Sequence, residues 1–282
     1  MTLPPYMPPH QPREMNAQEL ADVLRVTLRF GTLLLRSGTT SSRVDEAMSR
    51  VALVLGVERI DNYVTPTGII TSVYSGREHR TQITHSTALS VDMNRVCELE
   101  LMSRNLNATS TVESVNAAIE KIEKKPSLYT PLVVVIGTGL ACGALALILG
   151  GGALDFVAAT IGAGLAQYTR HTLVKAKIRA IPMTVMAAFV ATLVSWILLR
   201  FLHPIVQPAL DSIGMMATNG KAGIVASVLV LIPGVPMITA FLDLIRFDLL
   251  AGMARGVYAF ILVVCIALGM LAVLIWTGFS VV

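Results

Sequence analysis

Residues 222–242 read AGIVASVLVLIPGVPMITAFL, an uncharged stretch that ends directly before Asp243. About 20 apolar residues cross the hydrocarbon core of a bilayer, so the stretch is long enough to span. Pro233-Gly234-Val235-Pro236 sits in its middle. Proline removes a backbone donor and clashes with the preceding turn, and two of them in four residues cannot continue a regular helix. In hydrocarbon a freed carbonyl has no water to turn to, so such a break persists only where it is buried in protein or lines a polar cavity. Two readings follow. One is a kinked helix with a structural role. The other is a broken span whose non-helical Pro-Gly-x-Pro segment lines a polar path, as in many transporters.

Four further uncharged runs flank this one: Ser127–Leu154, Phe156–Thr169, Ala180–Leu199 and Gly256–Val282. Soluble core helices rarely reach such lengths without a charge. Phe156–Thr169 is short for a span and extends through His171–Val174 or tilts among its neighbours. The reading is an α-helical multi-pass membrane protein with five transmembrane helices, the fourth broken, over residues 127–282. The mean hydropathy of +0.68 agrees.

Residues 1–126 carry 14 Lys+Arg and 14 Asp+Glu, while residues 127–282 carry 8 and 4, which accounts for the whole net charge of +4. Basic residues mark cytoplasmic loops. Lys121, Lys124 and Lys125 precede the first span, and the loop after it has no base. Arg170, Lys175, Lys177 and Arg179 follow the second span, and Arg246 and Arg255 follow the fourth. The alternation places the N-terminal domain in the cytoplasm and the C-terminus outside. Topology explains these bases, so nucleic acid is not a partner; membrane lipid is. No signal peptide is visible.

The segment before the spans divides into a disordered Pro-rich tail, 1–16, and an α+β cytoplasmic domain, 17–126. Leu20, Val23, Leu24, Phe30 and Leu34 predict a helix over Ala17–Arg36, ended by Ser37-Gly38. A second helix follows Thr39–Ser42, with Ser42 and Asp45 at capping-box spacing. Strands are expected between Ile60 and His85, then helices near Asp92–Arg104 and Thr111–Lys125, the last capped by Ser110 with Glu113. The Ser/Thr-rich entry at 37–42 serves either as an ordinary cap or as an anion site, because free N–H groups at a helix start favour negative charge. Cys97, Cys142 and Cys265 are far apart and read as packing residues; no spacing suggests a metal or other cofactor.

Arg36-Ser37-Gly38-Thr39-Thr40-Ser41-Ser42-Arg43-Val44-Asp45-Glu46 resembles the opening motif of the threonine/serine exporter (ThrE) family. Val64-Thr65-Pro66-Thr67-Gly68 resembles that family's next motif. Val228–Pro236 resembles its membrane signature, and Ala254-Arg255-Gly256 its continuation. Fused members carry a second set of five spans. A chain with five resembles the split, YjjP-type subfamily, whose partner is a YjjB-like five-span subunit. The resemblance implies export of small hydroxy amino acids or dicarboxylates such as succinate, and functional weight on Gly38, Ser41, Ser42, Arg43, Asp45, Glu46, Thr65, Pro66 and Thr67.

The leading reading is therefore a subunit of a secondary, proton-coupled exporter of small carboxylates, not an enzyme. Substrate and coupling are expected at Pro233, Gly234, Pro236, Thr239, Asp243 and Arg246, with Asp243 as proton relay and Arg246 as its partner or as carboxylate ligand. Ser227, Gln167 and Thr160 are the polar side chains inside other spans. Gly137, Gly139, Gly143, Gly162 and Gly164 offer small-residue surfaces to another subunit or to further copies of the chain. The alternatives are a membrane-anchored hydrolase, with Ser41 or Ser42 and His85, or a ligand-sensing membrane protein.

Overall fold

The computed structural model describes residues 12–86, 90–212, 218 and 220–278. Residues 1–11 of the expected Pro-rich tail, and 279–282 at the end of the fifth apolar run, lie outside the described residues. In chain order the elements are α1 (Ala17–Arg36), α2 (Ser41–Val54), β1 (Arg59–Thr65), β2 (Gly68–Ser75), β3 (Glu78–His85), α3 (Met93–Asn105), α4 (Val112–Glu123), α5 (Pro131–Ile148), α6 (Ala153–Lys175), α7 (Ala180–Ser212), α8 (Lys221–Leu229), α9 (Gly234–Ile245) and α10 (Leu249–Thr277). They form two compact units. One joins Met1–Pro126 to Gly234–Val257; the other joins Ser127–Pro233 to Tyr258–Val282.

In the first unit, α1 occupies the predicted span. Asn16 caps it by accepting from the Gln18 and Glu19 backbone N–H groups, and Glu19 accepts from Asn16 N–H in return. Its apolar stripe, with Leu20, Phe30, Leu34 and Leu35 fully buried, packs on Val44, Ala47, Met48 and Val51 of α2. Gly38 ends α1 at φ +92°, and a Cβ there would come within 2.6 Å of the Ser90 carbonyl, so only glycine fits. The sheet is antiparallel in the order β1-β2-β3. Ile69, Thr71, Val73 and Ser75 of β2 alternate inward, and Ile69 and Val73 join the helical core.

Two capping expectations shift, by two residues at α2 and by one at α4. α2 starts at Ser41 with Thr40 as its N-cap, and no side chain of its own closes the turn. Ser42 therefore sits inside the helix, and Asp45 accepts from Asn62 instead of completing a capping box. α4 is capped by Thr111 with Ser114, not by Ser110 with Glu113.

The break in the fourth run also differs from the expected Pro233–Pro236. α8 ends at Leu229 and α9 begins at Gly234, so the non-helical residues are 230–233. Val235 and Pro236 already belong to α9. The first four N–H groups of a helix have no intrahelical acceptor, so Pro236 in the first turn loses nothing there. The loop after α9 is a Schellman turn: Asp248 N–H donates to the Asp243 carbonyl at 2.9 Å and Phe247 N–H to Leu244 at 3.1 Å. Phe247 takes the left-handed position usually given to glycine, at φ +64°.

Among the described residues, every element of the second unit is a helix. α5, α7 as far as Pro208, and α10 are each long and apolar enough to cross a membrane, and α8 with α9 makes a fourth candidate when counted as one span. α6 carries Asp155, Arg170 and Lys175 and is not among them. The glycines expected to face another subunit are largely used within the chain. A Cβ on Gly139 or Gly143 of α5 would strike Thr160 of α6, and one on Gly162 would strike Ala191 and Ser195 of α7. Only small residues allow such close helix contact. Gly137 has open space beside it.

Candidate substrate and coupling site

Asp243 is completely buried on α9, and Arg255, on the second turn of α10, is 4% exposed. The Arg255 Nε lies 3.2 Å from Asp243 Oδ2. Two further bonds fix the pair on the loop that leads into α2. Ser41 donates its backbone N–H to Asp243 Oδ1 at 3.0 Å and its hydroxyl to Oδ2 at 3.3 Å. Arg255 Nη1 donates to the Thr39 carbonyl at 2.9 Å. The Ser/Thr-rich helix entry thus binds an anion, and the anion is the chain's own carboxylate. That explains the missing N-cap side chain on α2: the free N–H of its first turn and the positive end of the helix dipole already face Asp243.

Taking both charges out of water is unfavourable, and only good geometry with further hydrogen bonds offsets the loss. Asp243 meets that condition, with contacts to both oxygens. Arg255 meets it in part, since its Nη2 has no acceptor and its Nε, though close to Asp243, is poorly aligned for a hydrogen bond.

Arg246 lies just past the end of α9 and does not pair with Asp243 as expected. It donates to Ser42 Oγ at 3.0 Å and to Glu46 at 3.4 Å. At this half-exposed site the pair contributes little. The physical reason is direction: Asp243 projects into the packed interior, and Arg246 follows a chain that has turned toward solvent. Asp248 lies close enough to Asp45 to raise its pKa, and Asp243 in turn raises that of Asp248. Burial is the larger cause in both cases, and it pushes both carboxyls above the ordinary carboxylate range.

The structure therefore brings together Ser41, Ser42, Asp45, Glu46, Asp243 and Arg246 from the expected set, and adds Thr39, Asp248 and Arg255. Arg43 is exposed. Thr239 is buried on α9 and donates to the Val235 and Pro236 carbonyls, which helps the first turn of α9 close around Pro236. Thr65, Pro66 and Thr67 form the β1–β2 turn, where Thr65 donates to the Gly68 carbonyl. The hydroxyls of Ser41 and Ser42 are engaged by Asp243 and Arg246, so the partners of neither resemble a Ser–His nucleophile pair. Thr160, Gln167 and Ser227 belong to the second unit. Ser227 donates to the Ile224 carbonyl, whereas Thr160 Oγ1 and Gln167 Oε1 are buried without a partner. A second fully buried acid also lies there: Asp155 accepts from the N–H groups of Gly152 and Gly223, and so holds the starts of α6 and α8.

Helices long and apolar enough to span, with one candidate span broken between α8 and α9, describe a polytopic membrane protein. Residues 25–276 match the family described as "Putative threonine/serine exporter", and the chain belongs to this ThrE family. It is 25% identical over 267 residues to "Probable succinate transporter subunit YjjP" of Escherichia coli (strain K12), covering 93% of this chain and 98% of that protein. The protein of the same name from Klebsiella aerogenes is 24% identical, with 93% and 97% covered. A "Threonine/serine exporter" of Corynebacterium glutamicum is 26% identical over 179 residues, 62% of this chain and 37% of that one. No solved structure gives a significant match.

Proposed function

We propose that the chain is one subunit of a secondary exporter of small carboxylates, either threonine and serine or a dicarboxylate such as succinate. The observation that carries this reading is the buried Asp243–Arg255 pair, held at the end of a broken span in a member of an exporter family. In it Arg255 binds the substrate carboxylate in exchange for Asp243, through the guanidinium edge that has no full set of acceptors. Asp243 takes up a proton as it is displaced, and this couples export to the proton gradient. Arg246, at the exposed rim with Glu46 and Ser42, gathers anions toward the pair.

The membrane part has five spans, with α6 and the α8–α9 pair each counted, in the bacterial inner membrane. Its N-terminal α+β segment faces the cytoplasm and its C-terminus lies outside. The word "subunit" in the names of two relatives supports a partner, in our reading a YjjB-like five-span protein or further copies of this chain. The test is export from inverted vesicles bearing the chain with and without such a partner, for wild type, Asp243→Asn, Arg255→Lys and Arg246→Lys. Loss of transport in the Arg255 variant and loss of pH dependence in the Asp243 variant are expected. Normal rates with an unchanged pH profile in both would remove the site.

A further inference from the structure

Three polar side chains of α6, in the second unit, each carry one buried atom that finds no partner among the described residues. Thr160 Oγ1, Gln167 Oε1 and His171 Nε2 are each shut off from the surface and have no hydrogen-bond partner. They lie seven and eleven residues apart. At 3.6 residues per turn these spacings return to the same side of the helix within about 20°, so the three heads form one line about 16 Å long. The other face of α6 carries Ile161, Leu165 and Tyr168, which are 41%, 43% and 56% exposed.

The line is unusual within its own unit. Thr138, Thr169, Thr184 and Thr192 all lie on its helices, and each donates its hydroxyl to the carbonyl four residues back. That bond is the default for a threonine in an apolar helix, and Thr160 does not make it. Its hydroxyl instead points at Gly143 of α5, only 2.1 Å from where a Cβ would stand. Between Thr160 and Gln167 the same side of α6 holds Gly164, which puts no apolar side chain into the gap and faces Val135 of α5.

An unmade hydrogen bond at a buried group costs about 1–3 kcal/mol, and three on one line are a large liability in a membrane. A second subunit packed on the outside of this chain cannot provide the missing partners, because the chain itself already covers these atoms. The partner must enter along the line from within. Resting on the exporter reading, we propose that Thr160, Gln167 and His171 form one wall of a hydrated track between α5 and α6, which carries a small polar solute and is closed in this conformation.

The test is cysteine accessibility in the full chain, in cell membranes with its partner subunit, with Cys97, Cys142 and Cys265 replaced by alanine. Single cysteines go in at 160, 167 and 171 and, as outward-facing controls at matching depth, at 161, 165 and 168. The probe is a membrane-impermeant, water-requiring thiol reagent. Labelling at least tenfold faster at the three line positions, slowed by millimolar threonine, serine or succinate, is expected. Rates equal to those of the controls would overturn the track. Labelling without any transport by the parent complex would keep the track and remove the exporter reading. Gln167→Leu gives an independent check. If Gln167 is only structural, deleting its buried, unpartnered amide oxygen leaves transport intact and leaves stability equal or higher. The track requires normal protein levels with export reduced at least tenfold.

Discussion

At the scale of single residues, the Asp243–Arg255 pair matters through both its charges. Removing one partner leaves the other buried alone, which costs about 3–5 kcal/mol. Asp243→Ala is expected to lower thermal stability by that amount in a detergent melt. Replacing both by apolar residues of similar volume should recover most of it while transport stays lost. Recovery of neither would mean that Ser41 and Thr39 depend on the pair more than on packing. Phe247 offers a smaller test. Holding a side chain in the left-handed region costs about 1–2 kcal/mol, so Phe247→Gly should stabilise the α9–α10 turn by roughly that much. Asp45 and Asp248 predict a pH effect. Their folded pKa values are raised, so their contribution is fully present below the unfolded carboxylate pKa and is lost as pH rises through the raised values. The full-length protein should lose stability over that window. The Asp45→Asn, Asp248→Asn variant should show a flatter profile in melts taken at stepped pH.

At the scale of elements, charges mark where the reading from sequence worked and where it failed. Uncharged runs located every helix of the second unit, because apolar length is what a membrane span requires. The same rule misplaced the charges that matter most. It ended the fourth run before Asp243, opened the fifth after Arg255 and opened the second after Asp155. In the structure all three lie inside helices α9, α10 and α6. The signal that could have found Arg255 was the Ala254-Arg255-Gly256 motif, a base within a segment otherwise apolar on both sides. Pairing itself was not legible, since Ser41 and Asp243 are 202 residues apart. The capping shifts, two residues at α2 and one at α4, are errors of a kind that helix boundaries invite. Two substitutions test the elements. In α10, Gly252 lies where a Cβ would meet Leu244 at 2.6 Å and the Ala240 carbonyl at 2.9 Å. Gly252→Val should therefore prise α9 from α10 and abolish export. Pro233 ends the non-helical residues, whereas Pro236 sits harmlessly in the first turn of α9. Pro233→Ala should accordingly impair export far more than Pro236→Ala, at equal protein levels; equal effects would contradict the shifted break.

At the scale of the whole molecule, the chain is one part of an assembly in our reading. The purified chain alone should not export, and adding the partner subunit should restore transport. Activity in a purified monomer would overturn that. The compact unit that contains Ser41 is built from two distant parts of the chain, Met1–Pro126 and Gly234–Val257. Synthesis at about 5–20 residues per second separates Ser41 from Asp243, 202 residues later, by roughly 10–40 seconds. Until then the start of α2 has no carboxylate to bind. The bond between Ser41 and Asp243 thus makes completion of the first unit wait on synthesis of the fourth apolar run, an order of assembly written into the order of translation.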